Sequence, residues 1–256
     1  MGRENSMNIL WAFGQFFSDN MPTFREMLFP GLFYGLWALS SLWLSGYLKR
    51  CQHLRTGYTR KIFHFLIFSS ASLIQGLWGI RSVCLFGGMT SLVIAYAVIR
   101  GDGHLLYEAL AREKDAPRRT YYIITPYLAT LIGGLTSNIL FGEAALAGYL
   151  VAGLGDAVGE PVGTRFGRHT YRVPSLKGVA AMRSYEGSAA VCCMSLTAIL
   201  LAFALSSQLR VPAHAPIIFP AIALLSAVLE AISPHGWDNA IMQIVPALCV
   251  ALLTRG

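Results

Sequence analysis

The chain has 256 residues, 55% of them hydrophobic and 13% charged, and a mean hydropathy of +0.53. A soluble domain carries about 25% charged residues. Half that share, set between long apolar runs, excludes a soluble domain, and with it a soluble nucleic-acid binder, in spite of the net charge of +7.

A spanning helix needs about 20 predominantly apolar residues. The sequence predicts an all-α polytopic transmembrane helix bundle of about eight spans: Phe29–Leu48, Ile62–Ile80, Ser82–Ile99, Tyr121–Phe141, Ala144–Gly163, Tyr185–Ser206, Pro216–Ile232 and Asn239–Thr254. Residues 1–28 form an N-terminal segment, and 29–256 form one integral membrane domain. Within that segment, Met7–Phe17 is short and rich in Phe and Trp, which suits either an interfacial helix or disorder. Arg3 is followed by Glu4 and Asn5, and no small-residue site closes an apolar core, so no cleavable signal is expected. The five cysteines form no CxxC or Cys/His spacing and fit as apolar fillers.

Basic residues orient the bundle. The loop after the first span holds Lys49, Arg50, Arg55, Arg60 and Lys61. The loop after the third holds Arg100, Arg112, Lys114, Arg118 and Arg119, and the loop after the fifth holds Arg165, Arg168, Arg172, Lys177 and Arg183. These three loops carry fifteen of the twenty basic residues, so the positive-inside rule puts them in the cytoplasm and both termini outside. The short chain and compact loops suit a prokaryotic inner membrane.

Ionisable groups inside spans are costly, so each is a functional candidate. Asp156 and Glu160 lie four residues apart in the fifth span, a spacing that puts both carboxylates on one helix face. Glu186 opens the sixth span and Glu230 nears the end of the seventh. Asp238 and Asn239 lead into the eighth, and His64 lies one turn into the second. In the derived orientation all of these lie near the cytoplasmic side. Carboxylates in such a group suit a hard cation, and neighbouring Arg and Lys suit phosphate oxygens. These are the parts of a phosphoryl-transfer site.

Blander roles exist for each. A carboxylate in a span can hydrogen-bond between helices, His64 can do the same within the bundle, and basic loops can be topology signals alone. The last is the best single account of Arg112, Lys114, Arg118 and Arg119. Gly153, Gly155, Gly159, Gly163 and Gly167 suit close helix packing, or close backbone approach to a phosphate. The soluble-type P-loop, G-x-S-x-G and H-E-x-x-H motifs are all absent from the sequence.

The stretch GDAVGEPVGTRFG, Gly155–Gly167, resembles the motif of the phytol kinase and dolichol kinase family, membrane-embedded kinases of lipid alcohols that include CTP-dependent diacylglycerol kinases. That motif runs roughly Gly-Asp-Gly-x-Ala-Asp-x-x-Gly-Arg-Arg-Phe-Gly. Gly155, Asp156, Gly163, Arg165, Phe166 and Gly167 match it, Glu160 stands where Asp is common, and Ala157 and Gly159 depart. Arg60-Lys61-Ile62-Phe63-His64 resembles the family's Arg-Lys-x-x-His. Arg183-Ser184-Tyr185-Glu186-Gly187-Ser188 resembles its Lys-Ser-x-x-Gly-Ser/Thr segment. The block from Glu230 through Asp238 and Asn239 to Pro246 resembles its C-terminal block.

The resemblance implies Mg²⁺-dependent transfer of the γ-phosphate of CTP, or of ATP, to a lipid alcohol such as phytol, farnesol, a polyprenol or diacylglycerol. On that expectation Asp156 and Glu160 hold Mg²⁺, with Glu230 or Glu186. Arg60, Lys61, Arg165 and Lys177 clamp phosphate, with Arg183, Ser184, Gly187 and Asn239 in the nucleotide site. Asp238 orients or deprotonates the hydroxyl, and His64 and Lys61 join the catalytic group. The rival readings are a cytidylyltransferase making a CDP-lipid and an ion-coupled transporter. Oligomeric state is left open.

Overall fold

The computed structural model describes residues 2–173, 181–234 and 236–254. Lys177 lies outside the described residues.

Helix α1 (Gly2–Asn20) precedes the bundle. Thr23 and Glu26 then form a capping box: the Thr23 amide donates to Glu26 Oε2 at 2.7 Å, and the Glu26 amide donates to Thr23 Oγ1 at 3.3 Å. This opens the short α2 (Phe24–Glu26). One π turn containing Pro30 joins it to α3 (Leu32–Gln52).

Helix α4 (Thr56–Arg100) is 45 residues long and breaks at Gly79, where φ is +80° and helical geometry fails. Unbroken, 45 residues would extend about 68 Å, twice the ~30 Å hydrocarbon core. The break folds the two limbs back along each other. Phe63 shares a core cluster with Val93 and Ala97, while Phe68, nearer the turn, clusters with Val83 and Phe86.

The same device recurs downstream. Helix α6 (Tyr121–Phe141) ends at Gly142, with φ +54°, and one 3₁₀ turn leads into α7 (Ala145–Leu150). The chain continues through a π segment, Val151–Asp156, into α8 (Ala157–Phe166). Strands β1 (Thr170–Val173) and β2 (Ala181–Ser184) pair antiparallel, Thr170 opposite Ser184, where only a loop was expected. Helices α9 (Tyr185–Leu205), α10 (Ala215–Ile232) and α11 (Asp238–Thr254) complete the bundle.

Five stretches are long and apolar enough to cross a membrane: Phe24–Gln52, Thr56–Arg100, Tyr121–Phe166, Tyr185–Leu205 and Ala215–Ile232. The chain is thus a helical membrane protein. Leu and Trp side chains ring its outside, among them Trp37, Leu77, Leu92 and Leu252, as a lipid-facing surface requires. The centre is built on small residues. Ala145, Ala147, Ala152, Ala198 and Ala202 are fully buried, so backbones approach closely. A Cβ added at Gly148 would lie 2.1 Å from the Gln243 carbonyl oxygen. Helices α7 and α11 therefore meet backbone to backbone at that glycine.

The segment after α4 was expected to be a topology loop. It contains α5 (Leu105–Leu110), with Leu106, Tyr107, Ala109 and Leu110 buried. Arg119 fastens it, donating to Glu108 Oε2 at 2.7 Å and lying 5.4 Å over the Tyr107 ring. Lys49 Nζ adds a bond to Glu108 Oε2 at 3.1 Å. Partial burial works to raise the Glu108 carboxyl, but hydrogen bonds from Arg119, the Gly103 amide and Lys49 outweigh it and hold the group down at about 2.

Candidate functional site

The first turns of α4 carry Arg60, Lys61 and His64. Lys61 is buried and donates from Nζ to Asp156 Oδ2 at 2.7 Å. His64 Nε2 lies 3.0 Å from the Ala152 carbonyl and 3.4 Å from Asp156 Oδ2, and its ring lies against Phe68 at 4.3 Å. Asp156 closes the π segment of the fifth expected span. Such π turns recur at functional sites because they re-aim the side chains around them. Gly153 and Gly155 let this segment sink into the bundle. A Cβ at Gly153 would meet Phe68 Cβ at 2.6 Å, and one at Gly155 would meet Ser195 Oγ at 2.6 Å.

Two more carboxylates reach the same spot from distant sequence. Glu230, near the end of α10, is buried and ion-paired with Arg183 Nη1. Asp238, the first residue of α11, accepts from the Asn239 amide at 3.0 Å. Asp156, Glu230 and Asp238 each offer an oxygen, and these atoms lie within 4.8 Å of one another. All three residues are buried. Lys61 and Arg183 pair with two of the carboxylates, and among the described residues no basic side chain forms an ion pair with Asp238. Three buried carboxylates with oxygens this close form a donor set that fits a hard cation held by oxygen ligands.

Glu160 is not part of this group. Four residues of α-helix turn about 400°, so residues four apart diverge by about 40°. Asp156 points inward while Glu160 stays at the rim, 3.5 Å from Arg60 Nη2 and 3.9 Å from Arg112 Nη1. Glu186 is also elsewhere: its Oε1 lies 2.9 Å from His169 Nδ1, beside the strand pair. Both were expected as metal ligands beside Asp156 and Glu230; the structure groups Asp156 and Glu230 with Asp238, which was expected at the hydroxyl, and leaves Glu160 and Glu186 outside that group.

The expected phosphate residues divide. Arg60, Lys61 and Arg183 reach the carboxylates or their rim. Arg165 is exposed, its guanidinium 5.5 Å from the Phe166 ring. Ser184 caps α9, its Oγ accepting from the Gly187 amide at 3.1 Å. Gly187 gives α9 room against α8, since a Cβ there would sit 2.9 Å from the Gly159 carbonyl oxygen. Asn239 Nδ2 donates to Thr130 Oγ1 at 2.9 Å and fastens α11 to α6. Ser184 thus caps α9, and Gly187 and Asn239 join helices.

Arg112 was the residue underrated in sequence. It is buried, pairs with Asp115 at 2.9 Å and reaches Glu160. The apolar run Leu105–Leu110 just before it was the available signal of a packed segment.

Two cavities open beside the site. One of about 320 Å³ starts at Lys61, Asp156 and Asp238 and runs between both limbs of α4 and α6. Its walls are largely apolar, with Phe63, Ile67, Leu131 and Leu135 among them. The other, about 590 Å³, is lined by Glu160 together with Lys49, Arg55, Tyr58 and Arg112. Searches against protein-family models, curated proteins and solved structures find no match to this chain.

Proposed function

We propose that this chain is a lipid-alcohol kinase: it transfers the γ-phosphate of a nucleoside triphosphate, CTP or ATP, to a single-chain alcohol drawn from the bilayer. The observation that carries this reading is the junction of three buried carboxylates, two basic partners and an apolar cavity at one end of the bundle. A cation site alone suits many functions. One opening into a long apolar cavity suits chemistry on the polar end of a lipid.

Asp156, Glu230 and Asp238 would hold Mg²⁺, whose charge offsets that of the phosphate oxygens. Arg60, Lys61 and Arg183 supply further positive charge at the phosphates. The second cavity, which Glu160 lines, has room for the nucleoside, with Tyr58 and Arg112 on its wall. The alcohol lies in the apolar cavity with its hydroxyl at Asp238. The hydroxyl oxygen forms a bond to the γ-phosphorus, the bond to the β,γ-bridging oxygen breaks, and the nucleoside diphosphate leaves. The hydroxyl proton passes to the carboxylate group.

In this reading the chain crosses the membrane eight times: α4 and the Tyr121–Phe166 stretch each cross twice, and the shorter apolar α11 adds the eighth crossing to the other three stretches. Both termini lie outside, and the site faces the cytoplasm of a prokaryotic inner membrane. Lys and Arg placement supports that orientation.

The deciding assay offers purified protein Mg²⁺, CTP or ATP, and in turn phytol, farnesol, a polyprenol, diacylglycerol and phosphatidic acid. Release of nucleoside diphosphate with an alcohol is the expected result. Pyrophosphate release with phosphatidic acid would make it a cytidylyltransferase. No release with either nucleotide would return the carboxylates to an ion-coupled transporter.

A further inference from the structure

A hydrocarbon chain that enters the apolar cavity from Asp238 must end somewhere. The cavity wall follows α6 from Tyr122 to Asn138, about 24 Å at 1.5 Å per residue. That is most of a ~30 Å hydrocarbon core. The far wall is built by Val83, Cys84 and Phe17. Among the described residues, Phe17 is the one contribution of α1 to the cavity.

Two contacts of Arg81 locate Phe17 at that far end. Arg81 follows the Gly79 break and precedes Val83. Its Nη2 donates to the Asp19 carbonyl at 2.8 Å, and its Nη1 lies 3.9 Å from Glu26 Oε1. The end of α1 is therefore pinned to the turn of α4. The Phe17 ring is 49% exposed, packs edge-on to Phe16 at 5.7 Å, and lines the cavity. A core aromatic would be enclosed on all sides, whereas this ring lines the cavity and is also half exposed.

The glycines of the same wall are informative in the opposite sense. At Gly148, Gly153 and Gly155 a Cβ would strike a neighbour, so packing requires glycine there. Gly87 and Gly88 also line the cavity, and a Cβ at either meets nothing within 4 Å. What their missing side chains provide is open lumen.

We propose that Phe17 is the stopper of the chain-binding cavity. Together with the lumen left by Gly87 and Gly88, it fixes the longest hydrocarbon chain the protein accepts. The occupant is a single-chain long alcohol, hydroxyl at Asp238 and terminal carbon at Phe17. This rests on the lipid-alcohol reading and assigns the substrate's length to residues outside the catalytic group.

The test compares wild type, Phe17→Ala and Gly87→Leu in detergent, with straight-chain primary alcohols from decanol to eicosanol. Retention is read by native mass spectrometry. Affinity should rise about fourfold per added methylene while the chain still finds cavity, then level off. Phe17→Ala should move the plateau to longer chains. Gly87→Leu adds four carbons to the lumen; it should move the plateau to shorter chains and weaken binding of those that reached it by roughly 10²-fold. An alcohol with a photoactivatable diazirine at its terminal carbon should label the peptides of Phe17 or Val83–Gly88. One with the diazirine beside the hydroxyl should label those of Lys61 or Asp238.

Thermal melting checks that the variants fold, which half-exposed Phe17 and open Gly87 both favour. An unchanged plateau in both folded variants, or terminal label at Lys61, overturns the stopper. Shifting plateaus without nucleoside diphosphate release would keep the stopper and remove the kinase. Diphosphate release with one plateau in all three proteins would do the reverse. Failure to retain any alcohol overturns both.

Discussion

Three carboxylates buried side by side repel one another, and each has lost water worth several kcal/mol. Lys61 and Arg183 pair with two of the carboxylates, and Asp238 accepts a hydrogen bond from the Asn239 amide. In the proposed reading a divalent cation supplies the counter-charge. The prediction at this scale is a ligand order that differs from the one helix spacing suggests. Mn²⁺ binding, followed by electron paramagnetic resonance, should weaken at least about tenfold in Asp156→Asn, Glu230→Gln and Asp238→Asn, because affinity follows ligand charge. It should be unchanged in Glu186→Gln, whose partner is His169, and little altered in Glu160→Gln. Stronger loss in Glu186→Gln than in Glu230→Gln would sink the assignment. The candidate residues were all visible in sequence, because a charge in an apolar run stands out. Which of them meet was not visible. Asp156, Glu230 and Asp238 come from three elements, and the one local cue, the four-residue spacing to Glu160, ignored the 40° divergence and the π turn ahead of it.

The long apolar helices were legible because lipid demands continuous apolar sequence, and the breaks at Gly79 and Gly142 fall where two expected spans met. Shorter elements were missed for the same physical reason. Helix α5 has six residues, far below a spanning length, and sits among the basic residues that mark a cytoplasmic loop. Its stability comes from tertiary contacts: the packing of Leu106, Tyr107, Ala109 and Leu110, and the bonds of Glu108 to Arg119 and Lys49. The strand pair was hidden too, since four-residue strands carry little pattern. The role of Glu108 makes α5 sensitive to acid. Its carboxyl is held at about 2, below its ordinary value of 4.5. A carboxyl depressed in the folded state stabilises it fully above the unfolded value and progressively less as pH falls towards the folded one. Amide exchange in 103–112 should therefore be slow above about pH 4.5 and accelerate between there and about pH 2. In Glu108→Gln it should be faster at neutral pH and nearly independent of pH across that window, after correction for intrinsic exchange. The same acid acceleration in both proteins would assign it to some other group.

At the scale of the molecule, the number of crossings decides whether the carboxylates and the basic loops share one side of the membrane. The 45 residues of α4 and the 46 of Tyr121–Phe166 are each too long for one crossing, and each contains a glycine at positive φ. Two crossings each would put Cys51, in the last turn of α3, and Arg118, just before α6, on one side. Three further crossings, α6, α7 with α8, and α9, would then put Ser207 on the other. Cys51, Arg118 and Ser207 are exposed, so each position can report. A membrane-impermeant maleimide, with the modified peptide identified by mass, should label Cys51 and Arg118→Cys only in inverted vesicles. Ser207→Cys should be labelled only in right-side-out ones. If α4 crossed once, Cys51 and Arg118→Cys would separate. If Tyr121–Phe166 crossed once, Arg118→Cys and Ser207→Cys would be labelled from the same side. The expected pattern, with Cys51 facing the cytoplasm, puts Lys61, Arg183 and the carboxylates at the face where nucleoside triphosphates are found. The reversed pattern would leave the fold intact and remove the phosphate donor from reach of the site.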